Sequence, residues 1–248
     1  MMAVDLSRAL DPVLLANDCG ITPDPWQATL LRNIPRRGLL LCSRQSGKTT
    51  TVAIASLATA CYLNRSLTVV FSPSQRQSAE FLRTVLKYYR ELVGVPALTM
   101  ESTLRAEFAN GSRILALPGS EKTVRGYAGA DLLVIDEAAR VDDELIAAIR
   151  PMMATKPNGK LIALTTPAGK RGWFYEAWVN SNDWTKVRVA ASDCPRIGQE
   201  HLDEELRSLG QMRFDEEYNL IFTESLEAVF PVAVIEAAFT NAVRPLWA

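Results

Sequence analysis

Histidine is almost missing from this 248-residue chain, with His201 the only one. That excludes an H-E-x-x-H zinc helix, and His201 is expected on the surface of a helix over 199–209. Cysteine is scarce: Cys19, Cys42, Cys61 and Cys194 show no C-x-x-C or finger-like spacing, so they read as reduced thiols rather than a disulfide frame. Charge of one sign is not in excess. Lys plus Arg number 27 against 28 Asp plus Glu, a net charge of −1, so any nucleic-acid contact must be a local patch. No apolar run approaches a membrane span, and neither a signal peptide, an internal repeat nor a low-complexity tract is visible. What remains, 48% hydrophobic and 22% charged, suits one α/β domain with an appendage.

Against those absences one stretch stands out. Leu39-Leu40-Leu41-Cys42 reads as a buried strand, Ser43-Arg44-Gln45-Ser46 as a polar loop, and Gly47-Lys48-Thr49-Thr50 as the loop's end and the start of a helix. Strand, loop and helix in that order are what a phosphate-binding loop requires. The amides of residues 43–50 would face a polyphosphate, Lys48 would reach the β- and γ-phosphates, and the Thr49 hydroxyl would ligate Mg²⁺. Cys42 stands where the usual first glycine belongs, and Arg44 occupies the loop. A second half of the site follows at Leu132-Leu133-Val134-Ile135-Asp136-Glu137. Four aliphatics suggest a strand buried on both faces, ending in two acids where open α/β sheets place ligands. Asp136 is suited to the Mg²⁺ shell and Glu137 to polarising an attacking water.

Strand and helix patterns alternate, which argues for a mostly parallel sheet flanked by helices. Residues 1–22 read as a helical arm, and Pro23-Asp24-Pro25 starts a helix through Arg32. Strands are expected over 38–42, 67–71, 105–108, 113–117, 131–135 and 159–165, with Asn110-Gly111 turning a hairpin between the third and fourth. Helices are expected over 48–60, 74–92 and 142–153. Beyond Gly172 the pattern loosens into segments 173–180, 184–189, 199–209 and 212–222. The expected division is a P-loop core with its helical arm over 1–170 and a small lid or linker subdomain over 171–248.

These residues resemble a known family. Asp24-Pro25-Trp26-Gln27, Ser43 to Thr49, Ser72-Pro73-Ser74-Gln75-Arg76-Gln77, Arg125-Gly126, Ile135 to Ala139, Thr165 to Phe174, Phe214-Asp215-Glu216-Glu217-Tyr218 and Ala228-Val229-Phe230-Pro231 are similar, in this order, to segments of the large terminase subunit of tailed bacteriophages. The resemblance implies a P-loop NTPase of the ASCE, RecA-like type that hydrolyses ATP with Mg²⁺ and pumps double-stranded viral DNA into a procapsid. It further implies a homo-oligomeric ring on the portal protein, a small terminase subunit as partner, and the host cell cytoplasm as the place of action. Large terminases usually continue into a nuclease domain. Here the sequence ends just past Phe230-Pro231, so an isolated motor domain, largely monomeric and without DNA cleavage, is the expectation.

The resemblance also gives roles to single residues. It makes Gln27 an adenine-recognising amide, although a polar residue on a helix after a Pro-rich turn fits the same position. It makes Arg125 an arginine finger acting on a neighbour's nucleotide, where a surface arginine is the plain alternative. Arg44 can contact the γ-phosphate or sense its loss. Thr165 and Thr166 end a strand near the expected γ-phosphate, suited to report hydrolysis, though a simple turn reads equally well. Arg76, Arg83, Lys87 and Arg90 share one face of a helix and can track DNA phosphates; Glu80 interrupts them, as on an ordinary solvated face. Lys170 and Arg171 are a second candidate. A helicase-like translocase and a nucleotide-dependent switch with little turnover remain the alternatives; the first would need a second phosphate loop, and Glu137 argues against the second.

Overall fold

In the computed structural model, residues 2–119, 127–223 and 238 are described. Eight strands make one sheet: β1 (Arg37–Cys42), β2 (Leu67–Ser72), β3 (Leu98–Glu101), β4 (Arg105–Phe108), β5 (Arg113–Pro118), β6 (Leu132–Asp136), β7 (Lys160–Thr165) and β8 (Thr185–Val189). Their spatial order is β3-β4-β5-β2-β6-β7-β1-β8, parallel from β5 through β8 and antiparallel across β3, β4 and β5.

The central strands are apolar at successive positions because both faces are covered. Successive side chains alternate between two cores. Leu40, Val70 and Val134 point to the face that also buries Leu15, Leu30, Ile54 and Phe81. Leu39, Leu41, Val69, Phe71, Leu133 and Ile135 point to the other, which buries Leu145, Ile149 and Phe174. The first layer consists of α1 (Met2–Leu10), α2 (Pro12–Asp18), α3 (Pro25–Arg32), α4 (Lys48–Tyr62) and α5 (Gln75–Tyr89). The second contains α6 (Asp143–Ile149) and α7 (Gly172–Asn180). Two further helices, α8 (Gln199–Leu209) and α9 (Gln211–Glu217), pack with Ala191 and Tyr218 in a small third cluster.

Several expectations need correcting. The arm over 1–22 is two helices, parted at Asp11, whose carboxylate caps α2 by accepting from the Val13 amide at 3.1 Å. The helix expected to 153 stops at Ile149 and finishes as a 3₁₀ turn over Arg150–Met153, because Pro151 has no amide hydrogen to continue it. The helix expected over 212–222 runs only over Gln211–Glu217. Strand β3 was not foreseen. The hairpin between β4 and β5 forms as expected, with Gly111 at φ +81° supplying its left-handed residue. The boundary at 170 does not fall at a break in the sheet: β8 pairs in parallel with β1 from Gly38↔Thr185 to Cys42↔Val189. The segment with its own small core begins only at Ala191.

Candidate nucleotide site

The site sits at the carboxyl ends of β1, β6 and β7. From β1 the chain turns through a loop in which Gln45 (φ +58°) and Gly47 (φ +85°) are left-handed, and Lys48 opens α4. The Ser46 hydroxyl donates to the Ser43 carbonyl at 2.8 Å, closing the loop on itself. At the helix start the Gly47 carbonyl accepts from the Thr51 amide at 3.0 Å and from the Thr51 hydroxyl at 2.9 Å. Thr49 and Thr50 stand half-buried on the first turn of α4.

Lys48 is 8% exposed, and its ammonium faces the Glu137 carboxylate at 3.6 Å. Asp136 closes β6 beside it, 7% exposed. Burial, with the Glu137 charge adding to it, pushes the Asp136 carboxyl up to about 6 against the pull of Lys48. Glu137 leaves the strand in a left-handed conformation, φ +50°, while its amide donates to Asp136 Oδ1 at 3.1 Å. That turn aims the second acid away from the sheet, toward Lys48.

Thr165 and Thr166 are buried at the end of β7. The Thr165 hydroxyl donates to the Thr166 carbonyl at 2.7 Å and accepts from the Ala139 amide at 3.3 Å. Sequence reasoning missed Arg140, which joins the two strand ends: its Nη1 donates to Glu137 Oε2 at 2.8 Å and to the Thr166 hydroxyl at 3.1 Å. The three-residue spacing from Glu137 on a 3₁₀ turn was a usable signal.

Arg44 and Gln27 are both held by the protein itself. The Arg44 guanidinium forks onto Glu217 at 2.9 and 3.0 Å. Gln27 is buried; its Oε1 accepts from the Asp24 amide at 2.8 Å and its Nε2 donates to the Gly47 carbonyl at 3.3 Å. Arg196, also missed, donates to Asp24 Oδ2 at 2.7 Å and to the Ser46 carbonyl at 3.1 Å. Glu217 and Arg196 come from the segment beyond Ala190, and no local pattern announces them.

Arg125 lies outside the described residues. Arg76, Arg83, Lys87 and Arg90 all lie exposed on α5 or its cap, but Arg83 is ion-paired with Glu80 and Arg90 with Glu101 at 2.7 Å. Lys170 and Arg171 are exposed on the loop before α7, where Arg171 lines a cavity with Asp142, Asp143 and Glu144.

A parallel sheet with a phosphate loop after one central strand and paired acids after another defines a P-loop nucleoside-triphosphatase fold. Within that class the chain belongs to the terminase large subunit family: the family model for the N-terminal part of the T4likevirus-type terminase large subunit matches residues 39–236. Solved structures agree on the fold. The large terminase ATPase domain of Thermus phage P74-26 matches with a TM-score of 0.71 at 20% identity, covering 84% of this chain and 97% of that one. The large terminase of bacteriophage HK97 matches with a TM-score of 0.67 at 19% identity, covering 81% and 50%. The large terminase of another thermophilic bacteriophage, solved in complex with ADP, matches at 0.62 and 12% identity, covering 88% and 53%. The chain thus spans about half the length of these last two proteins. No helix among the described residues is long and apolar enough to cross a membrane.

Proposed function

We propose that this chain binds ATP at the loop over 43–50 and hydrolyses it to ADP and phosphate, as the motor that moves double-stranded DNA into a procapsid. The observation that carries this reading is the approach of Glu137 to Lys48, 3.6 Å apart at the carboxyl ends of adjoining elements. A P-loop that only held nucleotide would not need a second acid aimed at the phosphate end.

The residues fit Mg²⁺. Asp136 is a buried carboxyl that resists ionising without a cation, and Thr49 stands on the first turn of α4. Mg²⁺ is typically held by one or two protein groups and completed by substrate phosphates, and among the described residues no cage of three or more His, Cys, Asp or Glu is built. When bound, the ion would neutralise charge on the β- and γ-phosphates. Lys48 and the loop amides would orient the phosphates. Glu137 would take a proton from water as the water oxygen bonds to γ-phosphorus and the bond to the leaving ADP oxygen breaks. Arg44, released from Glu217, would add charge in cis, and Arg125 in trans, which calls for a ring of subunits. Gln27 would reach adenine only by giving up a bond it now makes.

Thr166 and Arg140 would couple the state of the phosphate end to the segment beyond Ala190, which we assign as the lid. The portal protein, a small terminase subunit and the host cytoplasm belong to the same proposal.

Glu137→Gln should keep ATP binding while hydrolysis falls roughly 10²-fold or more, read by phosphate release. Lys48→Ala should weaken binding itself. Turnover of Glu137→Gln at the parent rate would remove the catalytic assignment.

A further inference from the structure

The opposite end of the sheet carries a feature that the nucleotide site does not use. Below the first residues of β1 and β7, a cavity of about 250 Å³ is lined by Arg36, Arg37, Arg150 and Lys156, with Met153 and Trp184 on its apolar side. Lys156 is neutralised by Asp131 at 2.8 Å. Arg36, Arg37 and Arg150 are exposed and make no ion pair with any described residue.

That sets them apart. Arg8, Arg32, Arg44, Arg90, Arg140 and Arg196 each hold a carboxylate. In a chain of net charge −1, three uncompensated guanidinium groups around one concavity are a concentrated positive field. Guanidinium forks match phosphate oxygens in two-point geometry and give up their hydration more readily than ammonium groups. The α5 stripe is the poorer match, because two of its four cations are already paired with Glu80 and Glu101.

We propose that Arg36, Arg37 and Arg150 form a docking face for the sugar–phosphate backbone of double-stranded DNA, at the base of the sheet. The inference rests on the DNA-moving reading above and adds where the duplex is held. It has a mechanical consequence. Arg37 is the first residue of β1 and Cys42 the last before the phosphate loop, about 17 Å apart at the usual rise per strand residue. One buried central strand would then run from the DNA contact to the nucleotide.

The test uses the full chain and fluorescence anisotropy of a labelled duplex across a salt series. The triple variant R36Q/R37Q/R150Q should bind at least about tenfold more weakly at low salt. Its slope of log affinity against log salt should flatten by about two to three, equally for two unrelated sequences. R36K/R37K/R150K should keep most of the slope, and R76Q/K87Q on α5 should change it less. The thermal midpoint checks folding; should the triple variant unfold, Arg36→Gln and Arg150→Gln singly should each flatten the slope by about one. Parent-like affinity and slope in the folded triple variant would overturn the proposal while leaving DNA translocation standing. Loss of self-association without loss of DNA binding would also overturn it, assigning the face to an acidic surface of a second copy. A parent chain that binds no duplex at low salt would sink both readings.

Discussion

Gly47→Ala tests how tightly the phosphate loop is built into its surroundings. A Cβ on Gly47 would stand 2.6 Å from Gln27 Nε2 and 3.1 Å from Arg196 Nη2, on a residue whose φ is +85°. The left-handed conformation alone costs an alanine about 1–2 kcal/mol. The Gln27 amide is the tip of a side chain and can swing, but it is buried and holds the start of α3 through the Asp24 amide at 2.8 Å. Losing that bond adds about 1 kcal/mol. Arg196 is half-exposed and yields at little cost. The sum is about 2–4 kcal/mol, read as a lower urea midpoint at unchanged m-value. Gln27→Ala removes the clashing amide, so the double variant should be less destabilised than the two singles added, by about 1 kcal/mol. A Gly47→Ala protein within about 0.5 kcal/mol of the parent, or strict additivity with Gln27→Ala, would refute this account of the loop.

Arg140→Ala should lower hydrolysis about tenfold with ATP affinity nearly unchanged, since Arg140 orients Glu137 without belonging to the loop, and Arg140→Lys should recover part of the loss. Faster hydrolysis in the alanine variant would mean that the ion pair holds Glu137 away from water. The cysteines make a chemical prediction. Burial pushes the Cys19, Cys42 and Cys61 thiols up to about 12, and Cys194 is raised and buried as well. Native protein should therefore resist an aromatic disulfide reagent at neutral pH and release all four thiols only on unfolding; prompt native labelling would contradict the buried assignment. Because the folded-state values lie above the unfolded value of 9.0, the stabilisation is complete below pH 9. It should fall as pH rises toward about 12, by about 1.4 kcal/mol per pH unit for each thiol in that window, seen as declining thermal midpoints.

What was legible in the sequence is what neighbours dictate. Leu39-Leu40-Leu41 and Leu132-Leu133-Val134-Ile135 announce strands covered on both faces, and the residues after them announce the two halves of the site. Strand β3 was missed because Leu98-Thr99-Met100-Glu101 is an exposed edge with only Leu98 half-buried, so it carries no alternation. β8 was assigned to a separate subdomain for a similar reason: Lys186 and Arg188 leave it half-polar, and its place beside β1 is a matter of pairing.

The polar contacts that fix the site were less visible, since they span most of the chain. Arg196 meets Asp24 across 172 residues, and Arg44 meets Glu217 across 173. Both of these ion pairs, and the Arg196 bond to the Ser46 carbonyl, join the phosphate-loop region to the segment beyond Ala190. A segment tied to the loop by exposed guanidinium groups over a small core of its own is held by weak, separable contacts. It can leave the loop without disturbing either main core, whereas Arg140 and Thr166 are anchored to β6 and β7 and cannot. Movement at this site therefore falls on the residues that sequence patterns reveal least.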